Sequence, residues 1–214
     1  MLNPQVPVAK EGYPFILTAA FATLIAAIFA FKGLTLALLV VTVFILCFFR
    51  DPERLPPENA DALVSPADGK VILVETVTDP RFATGEVQKI SIFMNVFNVH
   101  VNRSPCDGVV RRVSYRPGQF YSADSQKGGL HNEYCATTIT TPAGKEVTFV
   151  QIAGLIARRI VCWLEPGDTI ARGRRIGLIR FGSRVDIYLP MEAEVAVHTG
   201  DTVRAGESTL GFLR

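Results

Sequence analysis

A long stretch with almost no charge near the start of the chain restricts its fold more than any other feature. From Gly12 to Phe49 the only charged residue is Lys32, which separates the apolar runs Tyr13–Phe31 and Leu34–Phe49. The first run is long enough to cross the hydrocarbon core of a bilayer, and neither run has a polar face to present to water. A cleaved signal peptide would not be followed at once by a second apolar run. The stretch therefore predicts a helical hairpin within residues 1–50 that inserts in or crosses a membrane, with its turn at Lys32 and the glycine after it.

The charges and cysteines of the chain predict the orientation of the hairpin and exclude several classes of function for the second domain, residues 51–214. Basic residues flank the hairpin on both sides, Lys10 before it and Arg50 and Arg54 after it, and predict that both ends face the cytoplasm. The net charge of +2, without any Lys/Arg-rich run, argues against a nucleic-acid partner. The four cysteines are far apart, which favours reduced thiols over a zinc site or a disulfide framework. Because HExxH, Walker A and GxGxxG motifs are also missing from the sequence, we predict a protein without a metal or nucleotide site.

The sequence after the hairpin is rich in β-branched residues and contains two internal duplications. From Val64 on, short β-branched runs alternate with turn signals, which predicts a mainly β domain, a sandwich or partly open barrel. Ser65–Val71 recurs as Ser104–Val110, and Gly167–Gly173 recurs as Gly200–Gly206. The second pair resembles the Gly-Asp hairpins of lipoyl and biotinyl carriers and related hybrid-motif (barrel-sandwich) folds. No lysine lies between its two copies to carry a cofactor, so the duplication indicates a repeated β unit rather than a carrier.

The best candidate for chemistry is the pair Gly182 and Ser183, between two β-like runs. A glycine leaves its own carbonyl sterically open, so the serine hydroxyl can approach it, although a bulge or tight turn would use the same pair. His100 ends an apolar run and Asp68 lies in an Asp-Gly turn; with Ser183 they supply one member each of an Asp-His-Ser triad. No GxSxG elbow is present, which argues against an α/β-hydrolase. His131 lies in a glycine-rich loop of a kind that often lines a site.

Six motifs, in order and spread over nearly the whole chain, resemble those of phosphatidylserine decarboxylases, and the length suits the short bacterial form of that family. They are Arg50–Arg54, Val64–Val71, Asn98–Arg103, His131–Glu133, Gln151–Gly154 with Ala157–Ile160, and Phe181–Asp186. The resemblance implies a proenzyme that cuts itself between Gly182 and Ser183, with Asp68, His100 and Ser183 as the self-cleavage triad. The products would be a membrane-bearing β chain, residues 1–182, and a small α chain, residues 183–214.

The resemblance also implies the reaction and its cofactor. Ser183 would become an N-terminal pyruvoyl group, without a metal, whose ketone forms a Schiff base with the amine of phosphatidylserine. Loss of CO2 then gives phosphatidylethanolamine. The side chains suited to the phosphodiester headgroup are Arg103, His131, Arg158 and Arg159. The chain departs from the long form of the family at two places. It has Arg184 where long-form members have threonine, and Phe97 where they have a second histidine, which leaves His100 alone.

These expectations define partners, location and alternatives. The expected partners are phosphatidylserine in the membrane and a heterodimer of the α and β chains that self-cleavage produces. A homo-oligomer is also compatible with the sequence. The location is the cell membrane, with the protein peripheral or anchored by the hairpin and its catalytic part facing the cytoplasm. Two other hypotheses fit the same residues: a membrane-anchored β-barrel adaptor without chemistry, and a serine hydrolase that uses the triad without cutting itself.

Overall fold

The protein consists of two compact units, Met1–Glu53 and Arg54–Arg214. The computed structural model describes residues 7–155, 159–180 and 182–213.

The first unit is a pair of apolar helices, α1 (Tyr13–Ile28) and α2 (Lys32–Phe48), preceded by one 3-10 turn, Lys10–Gly12. The sequence predicted the turn at Lys32, but Lys32 is the first residue of α2. Instead α1 is closed by Ala30, which has a φ of 57°. Two backbone hydrogen bonds, from Phe31 N to Ala26 O and from Ala30 N to Ala27 O, form the pattern that ends many helices, usually with glycine at the left-handed position.

The surface of this helix pair is apolar. Leu17 and Ile28 are each 68% exposed, and the segment Lys10–Ile28 is long and apolar enough to cross a membrane, judged by length and composition. Between the helices, the hydroxyl oxygens of Thr23 and Thr42 lie 3.0 Å apart, so each polar group finds a partner inside the pair. The predicted N-terminal helical hairpin is confirmed as an apolar helix pair.

The second unit is mainly β, as predicted. Its only helix in the described residues is α3 (Gln126–His131). The strands are β1 (Ala62–Val64), β2 (Gly69–Thr78), β3 (Glu86–Met94), β4 (Val101–Arg103), β5 (Gly108–Arg116), β6 (Tyr134–Thr140), β7 (Glu146–Ala153), β8 (Ile160–Cys162), β9 (Thr169–Ile170), β10 (Arg175–Ile179), β11 (Ser183–Pro190), β12 (Glu194–Val195), β13 (Thr202–Val203) and β14 (Thr209–Phe212).

Eight of these strands form one curled antiparallel sheet in the order β13-β2-β3-β11-β7-β6-β5-β9, and the remaining strands form two three-stranded sheets, β1-β14-β12 and β4-β10-β8. Side chains alternate between the faces of a strand. On β11, Val185, Ile187 and Leu189 therefore point into the main hydrophobic core, which they share with Ile92 of β3 and Phe149 of β7. The central strand β11 is thus buried along almost its whole length.

The two duplicated motifs occupy matching places at the two ends of this sheet. The Ser-Pro-x-Asp-Gly copies lead into β2 and β5, and each of these strands pairs with one Gly-Asp copy, β13 or β9. In both halves the turn aspartate accepts a backbone hydrogen bond from the Gly-Asp hairpin. Asp68 Oδ1 accepts from Ala205 N at 2.7 Å, and Asp107 Oδ1 accepts from Arg172 N at 2.9 Å. The duplicated β unit that the sequence predicts is therefore visible in the pairing.

Candidate active site

Ser183 is the first residue of β11, where it pairs with Met94 on β3 and with Ala153 on β7. The residue is fully buried, and its Oγ lies 3.4 Å from the sulfur of Met94. A thioether is only a weak acceptor, so this contact holds the hydroxyl loosely. The strand edge at which β3 and β7 end and β11 begins is called the Ser183 edge below.

The peptide bond before Ser183 is held close to the end of β7. A Cβ placed on Gly154 would lie 2.0 Å from the carbonyl oxygen of Gly182 and 3.0 Å from its carbonyl carbon. Only a glycine permits such an approach of one backbone to another. Gly154 therefore defines where the Gly182 carbonyl lies.

His100 is buried in the segment that leads from β3 to β4, where it contacts the end of β10. Its Nδ1 lies 2.9 Å from the carbonyl oxygen of Asn98, and its own carbonyl accepts from Ile179 N at 3.3 Å. Because a carbonyl can only accept, the neutral imidazole carries its proton on Nδ1, which leaves the lone pair on Nε2. The backbone of His100 is thus hydrogen-bonded to Ile179, which lies four residues before Ser183 in the sequence. The basic atom of the His100 ring is Nε2.

Asp68 lies in the turn before β2, where its carboxylate has a strong structural environment. Besides the amide of Ala205, it binds Arg54, whose Nη2 lies 3.1 Å from Oδ2. The other terminal nitrogen of Arg54 lies 2.7 Å from Glu207 Oε2. The turn motif explains these contacts by itself, and a role for Asp68 in a triad with His100 and Ser183 stays a prediction.

A buried pair of amides adjoins Ser183 on the inner face of the sheet. Gln151 Nε2 donates to Asn102 Oδ1 at 2.8 Å, and Asn102 Nδ2 donates to Pro66 O at 3.3 Å. The same Nδ2 lies 3.7 Å from the Met94 sulfur that Ser183 Oγ contacts. Both amide side chains are fully buried. A buried polar network destabilises the fold unless its members are hydrogen-bonded. The position of this network close to Ser183 makes its two amides candidates for a role at the site.

Sequence reasoning included Gln151 and Gly154 in a motif but gave neither a role, and a signal for Gln151 was present. In β7, every second residue from Val147 points inward, and Phe149 and Ala153 are apolar while Gln151 is not. A polar residue at an inward position of a strand departs from the period of two. The position of Gly154 had no such signal, because its close contact is with a residue distant in sequence.

The outer face of β11 carries a buried ion cluster next to Ser183. Arg184 donates through Nε to Asp186 Oδ1 at 2.5 Å and through Nη2 to Ser91 Oγ at 2.8 Å. Lys89 adds a second cation 3.5 Å from the carboxylate of Asp186. A Cβ on Gly129 of α3 would lie 3.2 Å from Arg184 Nη1, so the helix covers this guanidinium closely. Arg184, which replaces the threonine of the long form, therefore has hydrogen-bond and ion-pair partners for its buried guanidinium.

The predicted headgroup residues lie in different places. His131 is exposed at the end of α3, and the neighbouring Asn132 binds Ala153 O at 2.7 Å, so this loop lies at the Ser183 edge. Arg159 is exposed, and its carbonyl accepts from Arg180 N at 3.2 Å, close in sequence to Ser183. Arg103 is buried and donates to Gly173 O at 3.0 Å. Arg158 lies outside the described residues.

Two thiols lie close to the amide pair. Cys135 is directly opposite Gln151 in the pairing of β6 with β7. The thiol of Cys135 donates a hydrogen bond to Cys162, which lowers the pKa of Cys162 to about 6 against the opposing effect of burial. The same hydrogen bond, together with burial, raises the pKa of Cys135. The described cysteines are all free.

Fold and site together define a class: a mainly β domain, accompanied by an apolar helix pair, with a buried serine behind a glycine at one sheet edge. A sequence model of the phosphatidylserine decarboxylase family matches residues 41–211. A phosphatidylserine decarboxylase proenzyme of Desulfotalea psychrophila is 60% identical over 211 residues, covering 99% of each chain. Proenzymes of the same name from Syntrophotalea carbinolica and Geotalea uraniireducens are 49% and 47% identical over 100% of both chains.

The chain belongs to the phosphatidylserine decarboxylase family. The prediction that it is a decarboxylase of this family is confirmed, and the match favours that hypothesis over the adaptor and the hydrolase.

Proposed function

We propose that this protein cuts itself between Gly182 and Ser183, converts Ser183 into a pyruvoyl group, and then decarboxylates phosphatidylserine to phosphatidylethanolamine and CO2. The observation that carries the proposal is the Gly182–Ser183 bond itself. Ser183 is fully buried at the start of a central strand, and the preceding carbonyl is packed against Gly154. A hydroxyl and the carbonyl that it would attack are thus both held by strands whose register is fixed over many residues.

The proposed self-cleavage chemistry uses the Asp68, His100 and Ser183 triad. His100 Nε2 takes the proton of Ser183 Oγ, which attacks the carbonyl carbon of Gly182, and the Gly182 acyl group moves from nitrogen to oxygen. Elimination of the resulting ester releases the new carboxylate of Gly182 and leaves dehydroalanine at position 183. Its hydrolysis gives the pyruvoyl ketone and ammonia, so that atoms balance. Asp68 is the carboxylate proposed to support His100 in this step.

Once formed, the pyruvoyl ketone supplies an electron sink for the loss of CO2 from the bound serine headgroup. The residues present fit such a group, because on the inner face of the sheet Ser183 lies beside a thioether that also contacts one of a pair of buried amides. His100 is the proposed proton donor to the product. For the phosphodiester, His131 and Arg159 are placed in loops of the Ser183 edge; Arg103 and Arg158 complete the proposed set.

The two product chains are proposed to stay together after the cut. β11 begins at Ser183 and keeps an eight-residue register with β3, from Ser183–Met94 to Pro190–Val87, and a shorter one with β7. Both neighbours belong to residues 1–182, and the reaction removes only the nitrogen of Ser183, so the ladder hydrogen bonds of β11 from Arg184 onward remain. The assembly is proposed to act at the cell membrane, held by the apolar helix pair, with the β unit on the cytoplasmic side; a homo-oligomer is compatible with it.

A denaturing gel with intact-mass measurement tests the proposal. Wild-type protein should give two chains cut between Gly182 and Ser183, and Ser183→Ala should give one. His100→Ala and Asp68→Asn should slow or stop the cut, whereas His198→Ala, which alters an exposed histidine, should leave it unchanged. Active wild-type protein that consists of a single uncut chain would overturn the proposal.

A further inference from the structure

A buried acceptor close to Ser183 has no donor among the described residues: the Oε1 atom of Gln151. Gln151 faces inward from β7 opposite Val185, two residues along from the Ser183–Ala153 pair. Such diagonal neighbours in an antiparallel sheet lie roughly 7–8 Å apart. The free end of the Gln151 side chain is therefore within reach of a group bound at residue 183.

The direction of this oxygen is fixed by a chain of hydrogen bonds. The carbonyl of Pro66 can only accept, so Asn102 must turn its Nδ2 towards it. That leaves Asn102 Oδ1 facing Gln151, which in turn must present its Nε2. The amide of Gln151 cannot be flipped without placing two oxygens against each other. Its Oε1 therefore points away from Asn102.

The adjacent thiol does not supply the missing donor. Cys135 lies directly opposite Gln151 on β6 and carries a weak S–H donor. No hydrogen bond joins this thiol to Gln151 Oε1, which has no partner among the described residues. Gln151 Oε1 is thus an oriented, buried acceptor without a donor, and such exceptions call for an explanation.

We propose that Gln151, oriented by Asn102, accepts a hydrogen bond from the primary amine of the phospholipid headgroup bound at residue 183. This inference rests on the proposed function, because that reaction brings an amine to residue 183. An amine supplies N–H donors, whereas the other neighbour of Ser183 Oγ, the Met94 sulfur, is a poor acceptor. A buried acceptor also discriminates, since a headgroup without a donor leaves it unpaired. Gln151 thereby selects amine-bearing phospholipids over those that lack an amine.

The test uses detergent-solubilised full-length protein with Gln151→Met and Gln151→Leu, two apolar replacements of different shape. Thr137→Val is the matched control, because Thr137 is another fully buried polar residue, on β6, but lies opposite Phe149, further from Ser183. The first measurement is the extent of self-cleavage. The second is the phosphatidylserine concentration in mixed micelles at which cyanoborohydride traps the lipid amine on half of the α chains, read from the α-chain mass. The third is the phosphatidylglycerol concentration that halves this trapping.

Both Gln151 variants should cut themselves fully, because the amine contact involves only the substrate. The phosphatidylserine concentration for half-maximal trapping should rise about 10-fold, the loss expected for one hydrogen bond to a charged donor. Competition by phosphatidylglycerol, which has no amine, should not change, and Thr137→Val should match wild type throughout.

Three results would overturn the assignment. Uncut Gln151 variants with native thermal stability would place the residue in maturation instead. Normal cutting with unchanged trapping would remove it from amine binding, and an equal weakening of both lipids would show a general packing role. Failure of the proposed function looks different, because wild-type protein would then stay uncut and would trap no amine.

Discussion

Replacing Gly154 by alanine should stop self-cleavage while leaving the fold in place. The added Cβ would lie 2.0 Å from the carbonyl oxygen of Gly182, whereas unstrained carbon–oxygen contacts are roughly 3.3 Å or longer. The carbonyl must therefore move by about 1 Å, and a misplacement of that size can cost about 100-fold in rate. Because Ala123 Cβ lies 3.2 Å away on the same side, the new methyl group has no easy alternative. The self-cleavage rate should fall at least about 100-fold, with a stability loss of about 1–3 kcal/mol.

The assay is a time course of cutting after cell-free synthesis, read on a denaturing gel. Gly144→Ala is the control, because Gly144 lies in the turn at the other end of β7, with a φ of 77° and open space around it. Alanine there costs about 1–2 kcal/mol in backbone strain but should not slow the cut. Thermal unfolding of both variants is measured on a Ser183→Ala background, so that cutting does not affect the comparison. Wild-type cutting kinetics for Gly154→Ala would refute the argument.

Three further predictions test the surroundings of the site. Cys162, whose pKa is lowered to about 6 by the thiol of Cys135, should react with iodoacetamide at pH 7 at least about 10-fold faster than in a Cys135→Ala variant; equal rates would exclude the hydrogen bond. Burial alone would raise the pKa of Asp79, but Arg81 outweighs it and lowers the pKa. The stabilisation is therefore present above about pH 4 and disappears as the pH falls through the lowered pKa, so Asp79→Asn should cost about 1 kcal/mol in urea unfolding at pH 7 and little at pH 2. Arg54→Ala, which strips a buried cation from carboxylates on both sides of the proposed cut, should lower the free energy of unfolding by about 3 kcal/mol, and an unchanged urea midpoint would contradict this.

The elements that sequence reasoning found are those with a local signal. Two of the short β-branched runs after Val64, Val87–Phe93 and Glu146–Ile152, lie within observed strands, β3 and β7. The three-residue strands β1 and β4 were not found, because their length shows no periodicity and they exist only through distant partners. The sequence predicts the hairpin turn at Lys32 because Lys32 and Gly33 separate the two apolar runs, yet an alanine at position 30 adopts the left-handed conformation instead.

The candidate site also contains residues that can be recognised from local sequence and contacts that depend on the folded chain. Ser183 and His100 could be named from motifs, since their chemistry is visible in residue type and immediate neighbours. The order of the eight-stranded sheet, which brings Met94 and Ala153 to either side of Ser183, depends on pairings between residues far apart in sequence. Contacts that need this order, such as those between the carbonyl of Gly182 and Gly154 or between Asn102 and Gln151, could be seen only in the folded chain.

The mass of the small chain released from wild-type protein tests the central claim most directly. If Ser183 becomes a pyruvoyl group, the fragment 183–214 should be lighter than its serine-terminated form by the mass of one ammonia. It should resist Edman degradation, and it should gain the mass expected for borohydride reduction of one ketone. A fragment that begins with an unmodified serine, or active protein without any such fragment, would contradict the account.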